Sequence, residues 1–265
     1  MNAPVQPGRS IEELITTVSA SRLNCFAGCR LKFYFRYVLG LKKSKSIALH
    51  VGSVVHRVLQ AWNWARWRKQ PFTPDNVKSE LDTGWLEEGE AQPIEGDDST
   101  EEKESARTLI DTYLRDTPIK PDERVEAIEV SVEADLNSHG LPKLIGIIDL
   151  VREGRRIVDY KTTATTPNPE KSLHLHETQL SSYSLLYRAA TGLKENAVEI
   201  HHLVKLKKPK ITITTAPPLT DSQQTRLFRQ IESYVEGVER EDFVPSPQPM
   251  SCAVCEYYHE CRKWS

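Results

Sequence analysis

The chain lacks the features that announce a membrane or an export route. Across 265 residues no apolar run approaches the roughly 20 residues of a bilayer span. The N-terminus has no charged start followed by an apolar segment, so a cytoplasmic protein without membrane contact is expected. There is no excess of positive charge either. Formal net charge is −2, so any surface for a polyanion must be a local patch. Internal repeats and low-complexity tracts are missing. Cysteine is scarce, with five residues, and in a reducing compartment these read as thiols or metal ligands, not disulfides. What remains is a chain long enough to bury one substantial core, with room for an insertion and no need of a second domain.

Residues 1–18 read as a polar lead-in. An aromatic-rich helical pattern follows from Ser19 to about Leu39, and a second helix from Gly52 to Lys69 carries Trp62, Trp64 and Trp67. Residues 88–104 are acidic and read as an exposed connection, within a helical insertion over about 60–120. A short helix at 102–115, an alternating strand at 124–137, a polar loop at 163–175 and a helix at 177–190 come next. Strands at 197–206 and 210–216 and a helix at 220–239 lead to an irregular tail of 25 residues. This order predicts a mixed α/β fold, with a central sheet flanked by helices.

The run Gly146-Ile-Ile-Asp149-Leu-Val-Arg-Glu-Gly-Arg-Arg-Ile-Val-Asp159-Tyr160-Lys161 reads as a hairpin whose loop is Glu153-Gly154-Arg155. Counting outward, Arg152 faces Arg156 and Asp149 faces Asp159, while strand period two adds Lys161 to the Asp159 face. Two carboxylates opposed this closely repel unless a cation sits between them. A divalent ion held by both, with an ammonium beside it, suits phosphodiester hydrolysis.

Cys252-x2-Cys255-x5-Cys261 is the second strong signal. Three thiols in a Pro-flanked polar tail suit a soft metal or cluster, and a fourth must come from Cys25 or Cys29. These two lie four apart on the expected first helix, and spacing does not choose between them, nor between zinc and iron–sulfur. Either would clip the chain ends together.

Taken in order, these residues resemble the RecB-like, iron–sulfur branch of the PD-(D/E)XK nucleases, which includes the CRISPR-associated adaptation exonuclease and the AddB nuclease domain. The opening helix with Cys29 before a basic and aromatic run, Gly52-Ser-Val-Val-His56, Gly146-Ile-Ile-Asp149, Asp159-Tyr160-Lys161, Gln179-Leu-Ser-Ser-Tyr183 and the terminal cysteines all fall in register. Ile148 stands where the superfamily's name has proline, and Arg30 stands where many relatives have proline after the first cluster cysteine. The resemblance implies a restriction-endonuclease-like fold forming one nuclease domain over 1–265. It implies a [4Fe-4S] cluster on Cys29, Cys252, Cys255 and Cys261, with 243–265 as the cluster-binding segment. It also implies Mg²⁺ or Mn²⁺ on His56, Asp149, Asp159 and the Tyr160 carbonyl.

The chemistry of the residues fits these roles. Carboxylate oxygens suit Mg²⁺ or Mn²⁺, and the imidazole of His56 tilts the expectation towards Mn²⁺ activity at least equal to that with Mg²⁺. Lys161 donates to an attacking water or to charge developing on the phosphorane. Gln179 and Tyr183 share a helical face and can hold Lys161 or a phosphate oxygen. The basic run Lys205, Lys207, Lys208 and Lys210 offers ammonium groups to a phosphate backbone, or serves as a charged sheet edge. The expected function is a DNA exonuclease on single-stranded ends or overhangs, in recombination, repair or CRISPR adaptation. No Gly-x-x-x-x-Gly-Lys-Ser/Thr loop is present, so unwinding would fall to a helicase partner, and an integrase is a second expected partner. The competing readings are a DNA-binding scaffold with an idle site and a zinc-stapled interaction protein.

Overall fold

The computed structural model describes residues 8–92, 94–95, 100–120 and 122–264. Residues 1–7 of the expected lead-in and residues 93 and 96–99 of the acidic connection lie outside them. The rest of that lead-in is not loose. It forms α1 (Ile11–Thr16) and β1 (Thr17–Val18), with Leu14 and Val18 fully buried. The signal was a capping box, in which the Ser10 side chain accepts from Glu13 N–H and Glu13 reaches back to Ser10 N–H.

The expected single helix from Ser19 is broken. α2 (Ala20–Gly28) stops at Cys29, whose backbone is extended (φ −162°, ψ 113°), and α3 (Arg30–Phe33) restarts it, running into a π-helical turn at Tyr34–Val38. Cys25 and Cys29 therefore do not share one helical face. A short parallel bridge, β2 (Lys45–Ser46) with β3 (Ile94–Glu95), brackets two helices. The first is α4 (Ile47–Trp67), which begins before the expected Gly52. The second, α5 (Pro74–Ala91), falls inside the expected helical insertion, although no separate helix was placed there; Thr73 caps it and proline opens it.

The remaining elements follow the expected order. They are α6 (Thr100–Asp116), β4 (Val125–Ala134), β5 (Lys143–Arg152), β6 (Arg156–Thr163), α7 (Pro169–Leu175), α8 (Glu177–Thr191), β7 (Ala197–Val204), β8 (Lys210–Ala216) and α9 (Asp221–Glu239). α7 occupies part of the stretch expected as loop, started by Asn168 and Pro169. The tail, expected to be irregular, carries two short helices, α10 (Pro249–Ala253) and α11 (Tyr258–Cys261).

Six strands make one mixed sheet. β4 lines one edge of β5 in antiparallel register, while β1 and β6 share the other edge. β1 pairs with Lys143 and Leu144 at the start of β5, and β6 pairs with residues 150–152 at its end. Among the described residues no strand covers 145–149 on that edge. β7 runs parallel to β6, and β8 closes the sheet antiparallel to β7.

Each face of the sheet has its own core. α1, α2, α8 and α9 bury Leu14, Phe26, Leu186, Ile231 and Tyr234 on one side, and α4, α5 and α6 bury Val54, Val58, Leu81, Leu109 and Tyr113 on the other. Two motif glycines mark close approaches. A Cβ on Gly146 would sit 2.7 Å from Leu186 Cδ1 of α8, and one on Gly52 would sit 3.2 Å from Thr162 Oγ1 of β6. These glycines let α8 and α4 lie down on the strands that carry the acidic residues.

A third, small cluster of Leu31, Phe35 and Tyr257 joins the chain ends, with Cys29, Cys255 and Cys261 packed around it. Ion pairs reinforce it: Lys32 with Glu256 at 2.9 Å, Lys43 with Glu260 at 2.5 Å, and Arg30 with Asp242. No described helix is long and apolar enough to cross a membrane.

Candidate functional site

The hairpin loop is the expected one, and Arg152 pairs with Arg156. The ladder then stops at Leu150–Val158, because β6 leaves β5 to follow β7. The Asp149–Asp159 rung expected from the count is not formed. Instead the Asp149 side chain enters the opening, and its Oδ2 accepts the Tyr160 N–H at 3.0 Å. Opposite Asp149 in the β4–β5 register stands Glu129, between the rungs Ile128–Leu150 and Val130–Ile148. Glu129 has a positive φ of 45°, a conformation that strains a residue bearing a side chain.

His56 comes from α4, one turn after Gly52. Its Nε2 lies 2.7 Å from the Tyr160 carbonyl oxygen and its Nδ1 3.5 Å from Asp149 Oδ2. Ligand atoms of His56, Glu129 and Asp149 all lie within 4.8 Å of one another. Burial and the Asp149 charge push the Glu129 carboxyl up to about 7. Burial raises Asp149 as well, with Asp159 adding to the effect against the opposing pull of His56. Two carboxylates with raised values, Asp149 buried and Glu129 partly so, face an imidazole, a donor set whose repulsion a hard divalent cation would relieve.

Asp159 is 1% exposed and is the hub of the second half of the site. Lys161 Nζ sits 3.0 Å from its Oδ1 and 2.9 Å from its Oδ2. Gln179 and Tyr183 project from the same face of α8, as their spacing requires, but they hold Asp159 and not Lys161. Gln179 Nε2 donates to Asp159 Oδ1 at 3.0 Å and to Tyr183 Oη at 2.9 Å, and the Tyr183 hydroxyl donates to the same oxygen at 3.3 Å. Burial first, and then Asp159, raise the Tyr183 phenol. His202, the β7 partner of Lys161 in register, is buried, and desolvation lowers it to about 4, which leaves it neutral.

Of the basic run, Lys207, Lys208 and Lys210 are exposed at the β7–β8 turn, while Lys205 pairs with Glu102 at 2.5 Å. The Lys205 N–H donates to Thr163 O at 2.7 Å, so the turn continues from the end of β6 just beyond Lys161. Trp62 and Trp64 pack against the α4–α6 core, and of these three α4 tryptophans Trp67 alone stands exposed.

The five cysteines are free thiols and do not close into one compact group. Among the described residues no three of their sulfurs lie within 4.8 Å of one another. A single zinc would require sulfurs only about 3.8 Å apart at tetrahedral geometry. The Cys261 thiol is raised by burial and then by Cys29, Cys255 and Cys252, whereas burial lifts Cys25 to about 11.

Sequence reasoning missed Glu129. The signal was available: centring the 135–142 loop on His139 puts Glu129 opposite Asp149, but that register spans a long connection.

A family model of the PD-(D/E)XK nuclease superfamily matches residues 17–262. The chain belongs to this superfamily. No curated protein sequence matches the chain. A protein from Eubacterium rectale, classed provisionally as an exonuclease, is similar in fold. It is 18% identical, with a TM-score of 0.62 over 100% of this chain and 94% of its own. An alkaline exonuclease from Laribacter hongkongensis aligns over 74% of this chain and 92% of its own, at 11% identity and a TM-score of 0.33.

Proposed function

We propose that this PD-(D/E)XK nuclease is a divalent-metal-dependent deoxyribonuclease, an exonuclease acting on single-stranded ends or overhangs. One observation carries the reading. His56, Glu129 and Asp149 converge within 4.8 Å, beside a buried Asp159 clasped by Lys161. The residues fit a divalent ion, since raised carboxylates and an imidazole form one donor group. His56, Asp149, Asp159 and the Tyr160 carbonyl would hold it, with Glu129 as an added ligand. Such an ion supplies charge that acidifies a water and polarises a phosphate oxygen.

The chain's own residues do the rest. Gln179 and Tyr183 donate to Asp159 Oδ1 and so fix its carboxylate plane, which leaves Oδ2 to Lys161 and the reaction centre. The Lys161 ammonium has donors beyond those aimed at Asp159, and it orients the attacking water or stabilises charge on the phosphorane. The exposed Lys207, Lys208 and Lys210 track the DNA backbone just past Lys161. Lys207→Glu with Lys208→Glu is expected to raise KM several-fold at low salt, to flatten its salt dependence and to leave kcat within about twofold. A salt titration of initial rates checks this.

The RecB-like branch is proposed for the remaining features, with a [4Fe-4S] cluster on Cys29, Cys252, Cys255 and Cys261. Cys29, Cys255 and Cys261 surround one small core, and the electrostatic neighbours of Cys261 include Cys29 but not Cys25. A cubane places each thiolate on a separate iron, which suits thiols spread wider than zinc allows. A cytoplasmic nuclease meeting a helicase or integrase partner completes the proposal.

Labelled linear, end-blocked and circular DNA, single- and double-stranded, incubated with Mn²⁺ or Mg²⁺, tests the activity. Metal-dependent loss of linear single strands with circles spared is the expected result, with Mn²⁺ at least matching Mg²⁺. Cleavage that survives chelation, or no cleavage at all, would overturn it. Colourless protein after anaerobic purification would remove the cluster alone.

A further inference from the structure

The Tyr160 residue is gripped at three points. Its N–H is held by Asp149 Oδ2 at 3.0 Å and its carbonyl by His56 Nε2 at 2.7 Å. Its hydroxyl, at the far end of a ring that is 2% exposed, is held by Asn63. Asn63 Nδ2 donates to Tyr160 Oη at 3.0 Å and to Leu59 O at 2.9 Å, while Asn63 Oδ1 accepts from Arg66 Nη1 at 3.0 Å. His56 and Asn63 are seven residues apart, so they lie on one face of α4, two turns from each other. One helix thus holds both ends of one residue.

Asn63 is fully buried, which makes this polar contact an unusual choice for the apolar face of a helix. Leucine at 63 would keep the same branched skeleton, at somewhat larger volume, without needing three partners. The amide is itself fixed. Arg66 is tied to the carbonyls of Lys120 and Glu123, at 3.2 and 3.1 Å, as well as to Asn63. The ring is further boxed edge-on by Tyr113, with centroids 5.5 Å apart at 90°. The Tyr113 hydroxyl in turn meets His201 Nδ1 at 2.7 Å. A ring fixed at its hydroxyl and on its face cannot slide along the sheet, so the peptide carbonyl on the same residue cannot either.

From this geometry we infer that Asn63 is a positioning residue: by anchoring the Tyr160 hydroxyl it sets where the Tyr160 carbonyl stands against His56, and so tunes divalent-ion affinity. This inference rests on the reading of the Tyr160 carbonyl as a metal ligand. Asn63 touches neither metal nor substrate, and it acts through Tyr160. Partners at this remove from a metal site change affinity by roughly 10–100-fold.

The test separates positioning from stability. Asn63→Leu takes one of two side-chain partners from the buried Tyr160 hydroxyl, leaving Tyr113, and should lower Tm. Adding Tyr160→Phe removes that hydroxyl, and replacing both partners of a buried hydrogen bond by apolar groups is close to neutral. Mn²⁺ binding to the DNA-free protein, read by titration calorimetry and by the electron paramagnetic resonance of free Mn²⁺, is the second measurement. The Asn63→Leu/Tyr160→Phe protein is expected to regain part of the Tm lost in Asn63→Leu, the remainder reflecting Arg66 Nη1 left without Asn63 Oδ1, while binding Mn²⁺ roughly tenfold more weakly than wild type. Tyr160→Phe alone, which keeps the ring, should also bind more weakly.

Wild-type Mn²⁺ affinity in both the double variant and Tyr160→Phe would overturn the inference and leave the metal reading intact. Mn²⁺ binding by wild type that His56→Ala does not weaken would overturn the metal reading, and the inference with it.

Discussion

Asp159→Ala is expected to abolish cleavage, lowering turnover by roughly 10³-fold or more. Lys161→Ala should cost roughly 10²–10³-fold. The two are one unit, since Lys161 Nζ lies within 3.0 Å of both Asp159 oxygens, so the double variant should be little worse than Asp159→Ala alone. Single-turnover rates in Mn²⁺ measure all three. Full activity in either single variant would remove Asp159 and Lys161 from the reaction. Stability should move the opposite way at the neighbouring carboxylate. Asp149 sits among Glu129 and Asp159 with its carboxyl raised by burial, so Asp149→Asn should stabilise the metal-free protein by about 1 kcal/mol while stopping cleavage. For a chain of this size that is about 2–4 °C in Tm. The gain should vanish when Mn²⁺ is added, because the ion relieves the same repulsion in wild type.

Glu199→Ala is expected to be the most damaging change away from the reaction centre. Glu199 is 3% exposed and accepts from Arg156 Nε at 2.7 Å, Arg152 Nη1 at 3.2 Å and His201 Nε2 at 3.1 Å. Removing it leaves the guanidinium of Arg152, itself buried against Glu123, and the ring of His201 short of an acceptor. Breaking a buried pair from one side costs about 3–5 kcal/mol, or roughly 6–20 °C here. Burial pushes the Glu199 carboxyl up, but His201, Arg156 and Arg152 outweigh it and hold the group down to about 2. A depressed carboxyl stabilises the fold above its unfolded value near 4.5, and the contribution is lost as pH falls from there towards 2. His201 is lowered mainly by burial, against the pull of Glu199, so protonating it also opposes the fold as pH falls below the ordinary imidazole range. Thermal denaturation between pH 7 and pH 3 should show Tm falling in wild type. In Glu199→Ala the curve should start lower and fall less steeply below pH 4.5.

The parts of the site legible in the sequence are those fixed by short-range geometry. A tight loop sets the register that pairs Arg152 with Arg156, and one helical turn sets Gln179 beside Tyr183. His56 came from the resemblance, through the Gly-x-x-x-His motif it matches, and the fold gives that glycine a reason, since Gly52 lies against Thr162. What escaped depends on longer reach. Glu129 meets Asp149 only once β4 and β5 are in register across an eight-residue connection. The Asp149–Asp159 rung failed because β6 turns to follow β7, a choice made by partners some 40 residues away. Asn63 looks like any helical asparagine until Tyr160, 97 residues on, is folded beneath it. Two errors were local and avoidable. Ser10-x-x-Glu13 and Thr73-Pro74 are start signals for α1 and α5. The break at Cys29 was neither, since nothing in Gly28-Cys29-Arg30 forbids a continuous helix.

The backbone twist at Glu129 bears on how such a site persists through generations. A left-handed residue with a side chain carries a cost of about 1–2 kcal/mol that glycine would not. Mutation to glycine therefore releases strain and removes a crowded anion in a single step. Decay of the centre runs thermodynamically downhill, and random drift alone would erode it early. A lineage that used this protein only as a scaffold would gain robustness by discarding glutamate here.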